Sequence, residues 1–164
     1  MDAVKDRMEI DAILEEYADN ESEDLLDRLD KIYQGYVIEF RDALLEKGYS
    51  KATCNYHAYN VYHYLDRLLS YSNFSLFSMW KGFRYFFGFH YVCHTWGSSV
   101  KTLNAYLCGM KRFLRFMEEK GYYTEKEAEE ALRLIKENRG EWTQRIIDYR
   151  TPGVYIDYDK WDVV

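Results

Sequence analysis

The chain of 164 residues is long enough for one domain with appendages, and 48% apolar residues are enough for a substantial core. No apolar run approaches the roughly 18 residues of a membrane span, and the acidic N-terminus lacks the basic-then-apolar order of a signal peptide. The three cysteines, Cys54, Cys93 and Cys108, are odd in number and widely spaced. We therefore expect reduced thiols in a cytoplasmic protein without membrane contact.

The net charge of −6 conceals an uneven distribution along the chain. Residues 1–30 hold 12 acidic and 3 basic side chains, and residues 123–164 hold 10 acidic and 7 basic ones. Residues 31–122 between them hold 12 basic and 6 acidic side chains, a net charge of +6. The central segment therefore has the sign that phosphate binding requires, although the whole chain has the opposite sign.

Apolar residues recur with the helical period along nearly the whole chain, which predicts an all-α protein. A first helix is predicted over about residues 2–18, and a second begins with Ser22 as its N-cap and ends at Gly48. A third covers about residues 50–71. The aromatic-rich stretch "SLFSMWKGFRYFFGFHYVCHTW" is predicted as a fourth helix at the centre of the core.

The C-terminal part of the chain also contains clear boundary signals. Thr124 and Glu127 have the spacing of a capping box and predict the start of a sixth helix, which we expect to end before Gly140. The segment "EWTQRIIDYR" is predicted as a further short helix. After Pro152, alternating apolar and polar residues predict an extended tail.

The fifth predicted helix, residues 98–122, separates an apolar face from a basic one. Its apolar stripe steps by three and four residues, as one face of a helix does: Leu103, Leu107, Met110, Leu114 and Met117. The other face carries Lys101, Asn104, Lys111, Arg112 and Arg115, with no acidic residue between positions 101 and 115. A solvated face that favours the helix dipole is the simpler interpretation. The shortage of acids in an otherwise acidic chain favours phosphate binding.

Residues 48–69 and 97–118 share a frame that begins Gly-x-Ser-x-x-Thr-x-Asn. The shared positions are Ser50, Thr53 and Asn55 in one segment and Ser99, Thr102 and Asn104 in the other. This repeat predicts two similar helix starts whose N–H groups and small hydroxyls suit phosphate. One face of the third helix also carries Lys51, Asn55, Tyr59 and Tyr62. These tyrosines either contact a nucleic acid or are half-buried with their hydroxyls in water, and we favour the second interpretation.

His90 and His94 lie one helical turn apart, with Cys93 between them, and raise the question of a metal site. The chain has no C-x-x-C pair, and no carboxylate falls in the same turn. Core cysteines and partly buried histidines are therefore the favoured interpretation, and we expect neither a metal nor a cofactor. The sequence also contains no recognisable catalytic constellation.

The order of these segments resembles the N-terminal core-binding domain of tyrosine recombinases and phage integrases. The resemblance rests on Gly48, Ser50 and Thr53, and on Ser99, Thr102, Tyr106, Leu107, Phe113, Phe116 and Gly121. It covers about residues 31–122, the span that carries the positive charge. It implies a four-helix, SAM-like orthogonal bundle that clasps one side of duplex DNA. Residues 1–30 would then be an acidic helical extension, and residues 123–164 a C-terminal helix and tail packed on the same domain.

The resemblance also implies which side chains meet double-stranded DNA. The helices over about residues 50–71 and 98–120 would approach the major groove, with these contacts: Lys51, Asn55, Lys101, Asn104, Lys111, Arg112 and Arg115. The Lys and Arg side chains would supply affinity for phosphate, and an Asn facing a base would read adenine.

This chain departs from the family after the resembling span. The family continues with a catalytic domain that holds Arg, Lys, His-x-x-Arg and a nucleophilic Tyr, whereas the residues after Gly121 contain no histidine. We therefore expect a non-catalytic DNA-binding module in a context of DNA recombination and integration, with a separate recombinase chain or another protein as a further partner. The alternative is a helical protein-interaction module that does not bind DNA, with Tyr59, Tyr62 and Trp161 as partner anchors.

Overall fold

The computed structural model describes residues 2–20, 22–71 and 74–161. Every regular element within those ranges is helical, so the all-α prediction is confirmed. In chain order the α-helices are α1 (Ala3–Asn20), α2 (Glu23–Glu46), α3 (Lys51–Tyr71), α4 (Phe83–Tyr85), α5 (Tyr91–His94), α6 (Val100–Glu119) and α7 (Glu125–Arg150). The two short ones, α4 and α5, belong to an aromatic segment over residues 76–94, which lies between α3 and α6.

The long helices pack in sequence, α1 on α2, α2 on α3, α3 on α6 and α6 on α7. The acidic helix α1 buries Ile10 and Ile13 in the common core. Its Arg7 donates a hydrogen bond of 2.9 Å to the carbonyl oxygen of Tyr122 and pairs with Glu127 at 3.2 Å. Helix α2 runs without interruption across position 30, at which the sequence analysis divided the chain.

Local signals predicted several helix boundaries correctly. Gly48 (φ +85°) and Gly121 (φ +72°) follow α2 and α6 in the left-handed conformation that favours glycine at a helix end. Thr124 and Glu127 form the predicted capping box, with Glu127 N donating to Thr124 Oγ1 at 3.2 Å. Ser22 occupies the N-cap position of α2, but its side chain makes no capping hydrogen bond.

The predicted helix end before Gly140 is wrong. Helix α7 continues through Gly140 to Arg150 and includes the segment that was predicted as a separate helix. Ile135, Trp142 and Ile146 give α7 one continuous buried side across the glycine. Their burial outweighs the roughly 1 kcal/mol by which glycine disfavours a helix interior. In the tail, residues 154–157 are irregular, and Tyr158–Lys160 form a single 3₁₀ turn.

The prediction of one regular fourth helix is also wrong. The aromatic segment begins with a 3₁₀ helix (Leu76–Gly82), in which Ser78 has non-helical angles of φ −138° and ψ 20°. A π-helix (Phe86–His90) follows and separates α4 from α5. About half of the positions in this segment carry rings, most of these rings are buried, and a regular helix with a single core-facing side does not bury them.

Side chains from α2, from α7 and from the loop after α6 bind the backbone of the aromatic segment. The amide of Leu76 donates to the hydroxyl of Tyr33 at 2.9 Å, and its carbonyl accepts from the hydroxyl of Tyr123 at 2.6 Å. The carbonyl of Gly88, inside the π-helix, accepts a 3.0 Å hydrogen bond from Nη1 of the buried Arg145. The 3₁₀ and π turns interrupt the regular series of helical hydrogen bonds and leave buried N–H and C=O groups without helical partners. The side-chain hydrogen bonds satisfy these groups.

Gly88 lies in crowded surroundings and Gly140 in open ones, so replacing each by alanine tests how α7 packs on the aromatic segment. A Cβ at Gly88 would lie 2.7 Å from Arg145 Nη1 and 3.2 Å from Trp142 Nε1, whereas a Cβ at Gly140 would meet nothing within 4 Å. We expect Gly88→Ala to lower the free energy of unfolding by about 1–3 kcal/mol, since the buried Arg145 must move. Gly140→Ala should raise it by about 0.5–1 kcal/mol, because alanine favours the helix. Urea unfolding of both variants measures the difference, and a destabilised Gly140→Ala protein would contradict a continuous α7.

Candidate nucleic-acid interface

The sequence of α6 folds as an amphipathic helix with its predicted apolar stripe in the core. All five residues of that stripe are buried: Leu103, Leu107, Met110, Leu114 and Met117. The opposite face therefore points outward between α3 and α7, on which α6 packs. We call the residues of this outer face the α6 stripe: Lys101, Asn104, Lys111, Arg112 and Arg115.

Three cations of the α6 stripe are free in the folded chain. Lys101, Lys111 and Arg115 are exposed, and none of them forms an ion pair with any residue that the structure describes. Their charges are therefore not neutralised by a neighbouring carboxylate, in contrast to Lys47 and Lys120, which pair with Glu119 and Glu39. The three side chains therefore form a group of unpaired positive charges that the net charge of −6 does not indicate.

Arg112 has a different environment from the other cations of the stripe. It is half-buried, with its guanidinium carbon 4.3 Å from the ring centroid of Tyr49, and its buried Nη1 has no hydrogen-bond partner among the described residues. Burial and the nearby Arg112 charge both lower the pKa of His57. Arg112 therefore joins α6 to the start of α3, and its substitution would perturb the packing of these helices as well as the surface charge.

Asn104 brings an additional cation to the α6 stripe. Its Oδ1 accepts a 3.1 Å hydrogen bond from Nε of Arg139, which lies on α7. Arg139 could not be predicted from the sequence, because only the packing of α7 against α6 places it beside Asn104. The amide of Asn104 is thus partly engaged within the protein, while Arg139 extends the positive surface onto α7.

The two candidate residues on α3, Lys51 and Asn55, are both exposed. Lys51 is the first residue of α3, and the contact of Tyr49 with Arg112 places this helix start beside the α6 stripe. Asn55 lies two turns before Tyr62, whose hydroxyl donates to Asp30 on α2 at 3.1 Å. By helical spacing Asn55 therefore lies on the face of α3 that carries Tyr62, which is also the face of Lys51.

The two Ser-x-x-Thr helix starts have the same local structure. Thr53 N donates to Ser50 Oγ at 3.2 Å, and Thr102 N donates to Ser99 Oγ at 3.1 Å. In each pair the hydroxyls of Ser and Thr also contact each other. These hydroxyls therefore cap their own helices, which explains the shared sequence frame without a ligand.

A surface cavity of ≈ 630 Å³ lies beside α3, the C-terminal part of the aromatic segment and the loop before α6. We call it the aromatic cavity, and its lining residues are Tyr59, His63, Arg67, Tyr85, His90, His94, Thr95 and Trp96. Sequence reasoning missed the cavity, because its lining comes from segments up to 37 positions apart between Tyr59 and Trp96. Thr95 and Trp96 are neighbours in the sequence and belong to no helical spacing of polar residues, so the sequence did not indicate a site there.

The histidines of the aromatic cavity give no sign of a metal site. The ring centroids of His90 and His94 are 5.4 Å apart. Burial is the main cause that lowers the pKa of His90 to about 4, and the neighbouring His94 and Arg67 add to it. Burial raises the pKa of the Cys93 thiol. Within the described ranges, no three His, Cys, Asp or Glu side chains are grouped closely enough to hold a metal ion.

Two of the three aromatic residues proposed as partner anchors are engaged within the fold. Tyr62 is half-buried and bonded to Asp30, and Trp161 packs against the Arg145 guanidinium carbon at 5.0 Å. Tyr59 is 65% exposed. The sequence analysis did not name Trp96, although its side chain is fully exposed.

The structure thus defines an all-helical protein with a basic outer stripe and an adjacent aromatic cavity. Among the described helices, none combines the length and the apolar character needed to cross a bilayer. No protein-family model matches the chain, and no curated protein and no solved structure shows significant similarity to it.

The buried histidines predict a specific loss of stability in acid. The folded-state pKa of His90, about 4, lies below the ordinary value of 6.5, so the unfolded chain binds a proton first as the pH falls. The free energy of unfolding should therefore fall between about pH 6.5 and pH 4, and His57 and His63, whose pKa values are also lowered, act in the same direction. Urea unfolding across this range should show a smaller fall for His90→Gln.

His94→Gln provides the matched control, since this ring is exposed. In His94→Gln the free energy of unfolding should fall in acid nearly as much as in the wild type. Burial is the largest cause of the lowered pKa of His90, and this substitution does not change the burial of His90. Equal falls in the wild type and in His90→Gln would contradict the prediction.

Proposed function

We propose that the protein is a non-catalytic module that binds duplex DNA through the α6 stripe. The observation that carries the proposal is the exposure of three cations, Lys101, Lys111 and Arg115, without ion pairs among the described residues. A solvated helix face in an acidic protein would more commonly mix both signs of charge. Cations without acidic partners are suited to replace the counterions of phosphates.

The dimensions of the stripe support this binding mode. Lys101 and Arg115 are separated by about 21 Å along the helix axis, at about 1.5 Å per residue. This length equals the rise of about six base pairs, and a B-DNA major groove of about 12 Å admits a helix. Arg139 on α7 and Lys51 at the start of α3 widen the positive surface on the two sides of α6.

The acidic residues of the chain are compatible with this role. At physiological salt the Debye length is about 8 Å, so carboxylates farther away are largely screened. Helix α1, which carries many of them, packs against α2 and contacts the start of α7 through Arg7. The local field at the α6 stripe then decides whether a phosphate binds there.

The resemblance to the core-binding domain of tyrosine recombinases supports the same function. We include in the proposal a SAM-like arrangement of residues 31–122, with α3 and α6 as the helices that approach the groove. Strand cleavage would then belong to a separate catalytic chain, because the residues after Gly121 lack the His-x-x-Arg of the family. The candidate contacts with DNA are Lys51, Asn55, Lys101, Asn104, Lys111, Arg112 and Arg115.

A protein-interaction module is the second candidate function. It is favoured by the exposure of large aromatic side chains, Tyr59 at 65% and Trp96 at 101%. Aromatic anchors of this kind are typical of protein interfaces. A partner held by such anchors would bind with weak dependence on salt.

Salt-dependent DNA binding tests the first proposal. We expect log Kd for a duplex to rise with log salt concentration, and each phosphate neutralised by the protein to contribute a slope of about 0.9. The double variant Lys111→Gln/Arg115→Gln should reduce the slope by about 0.9 for each phosphate that it no longer neutralises. Both side chains are exposed, so the fold should be retained, whereas the half-buried Arg112 is unsuitable for this test. Fluorescence anisotropy with a labelled duplex measures the slopes.

Lys5→Gln/Lys31→Gln is the matched control, since it makes the same change in net charge at two exposed lysines outside the stripe. It should leave the slope nearly unchanged. If the wild type binds no duplex at low salt, or if both double variants have the same slope, the α6 stripe is not a DNA-binding surface.

A further inference from the structure

We propose that the aromatic cavity binds a nucleotide, with the base stacked on the rings of Tyr59 and Trp96 and the phosphate held by Arg67. The site and its ligand chemistry go beyond duplex binding by the α6 stripe and do not depend on it. Two kinds of ligand present a planar base that carries a phosphate. They are a free mononucleotide and an unpaired nucleotide of a strand.

Two aromatic side chains at the cavity are presented to solvent. Trp96 is 101% exposed and Tyr59 is 65% exposed, although both carry large apolar rings. The ring of Tyr59 lies nearly parallel to that of His63, at an interplanar angle of 13° and a centroid distance of 6.2 Å. His63 therefore supports Tyr59 from one side, and the other side of the Tyr59 ring is available for stacking. Stacking on such rings accepts any base, since every base has a π-face.

The polar lining of the cavity suits an anion. Arg67 offers a planar guanidinium with five N–H donors, and its nearest carboxylate is the sequence neighbour Asp66, with 3.5 Å between Arg67 Nε and Asp66 Oδ2. The two side chains are 38% and 44% exposed, and ion pairs that solvent reaches are weak, so this pair competes poorly with a phosphate. The described residues that line the cavity include no Asp or Glu.

His63 in the lining suits the edge of a base. Burial lowers the pKa of His63, so this ring is neutral near pH 7 and has both donor and acceptor capacity. Nδ1 of His63 is 3.0 Å from the hydroxyl of Tyr106, which leaves Nε2 as the ring nitrogen for a ligand. A neutral imidazole orients a base by hydrogen bonds without adding fixed charge.

Size and position agree with this ligand. The volume of ≈ 630 Å³ falls within the roughly 300–1,000 Å³ of small-molecule sites. Thr95 and Trp96 lie four and three residues before Ser99, the N-cap of α6, so the cavity adjoins the N-terminal end of the α6 stripe. A strand that contacts the stripe would have its unpaired nucleotides close to the cavity.

Calorimetric titration of the full chain tests the proposal with four probes: AMP, adenosine, inorganic phosphate and a single-stranded deoxyadenosine hexamer. We expect saturable binding of AMP, tighter than that of adenosine or of phosphate, since only AMP meets both the rings and Arg67. Trp96→Ala should weaken AMP binding about fivefold or more, as is typical when one stacking ring is removed. Arg67→Gln should lower the affinity for AMP towards that for adenosine.

Tyr155→Ala is the matched control for Trp96→Ala, because Tyr155 is 87% exposed and lies outside the cavity lining. It should bind AMP as the wild type does, and circular dichroism checks that all variants remain helical. The proposal is overturned if neither AMP nor the hexamer binds, if phosphate alone binds as tightly as AMP, or if Trp96→Ala and Arg67→Gln leave binding unchanged.

Two further comparisons complete the test. A hexamer that binds more tightly than AMP, and is weakened by the same variants, identifies a strand as the source, whereas preference for AMP identifies a free nucleotide. Lys111→Gln/Arg115→Gln should leave AMP binding intact, and Trp96→Ala should leave duplex binding intact. Failure of the cavity proposal is thereby distinguishable from failure of the α6 stripe as a DNA-binding surface.

Discussion

The fold depends on side-chain hydrogen bonds that satisfy the backbone of the aromatic segment. This segment is too rich in large rings to be a regular surface helix, and its 3₁₀ and π turns interrupt the normal ladder of hydrogen bonds. Tyr33 from α2 and Tyr123 after α6 bind the backbone of Leu76, and Arg145 from α7 binds the carbonyl of Gly88. The bonds have fixed geometry, so they set how α2 and α7 lie around the central rings. The abundance of tyrosine follows from this arrangement, since a tyrosine adds a large apolar ring and a hydroxyl to the same contact.

This central packing explains why the two candidate sites lie on the outside of the molecule and next to each other. Rings of the aromatic segment pack against the core-facing sides of α3 and α6, and the faces of these helices that pack on no other helix are turned to solvent. The α6 stripe is the outer face of one of these helices, and the aromatic cavity lies where the segment leaves the core and joins that helix. The stripe supplies unpaired cations on a rigid helix, and the cavity supplies exposed rings together with Arg67. In the two proposals, the stripe binds the phosphates of a duplex, and the cavity binds one base together with its phosphate.

The sequence predicts those parts of the structure that local chemistry decides. Gly121 ends α6 because a positive φ is needed there, and the apolar stripe of α6 follows from its spacing. Gly140 is the same residue type, but the burial of Trp142 and Ile146 keeps α7 helical through it, which depends on tertiary packing. The irregular turns of the aromatic segment depend on partners such as Arg145, which is 57 positions from Gly88. In the candidate interface, the exposure of Lys111 and Arg115 could be read from the helical period. The contact between Asn104 and Arg139 could not, since two separate helices make it.

The uninterrupted length of α7 limits how the chain can vary. Its first turn pairs with α1 through Glu127, its middle holds Asn104 through Arg139, and its last turn reaches Ser98 through Arg150. Successive residues of an α-helix are rotated by about 100°, so deleting or inserting one residue in the first half of α7 would turn every later side chain away from its partner. The length of α7 thus fixes the distance between its contact with the acidic helix α1 and its contact at the start of the basic stripe. Viable homologous chains are expected to conserve the number of residues in α7 more strictly than their identities, with length changes confined to the tail after Pro152.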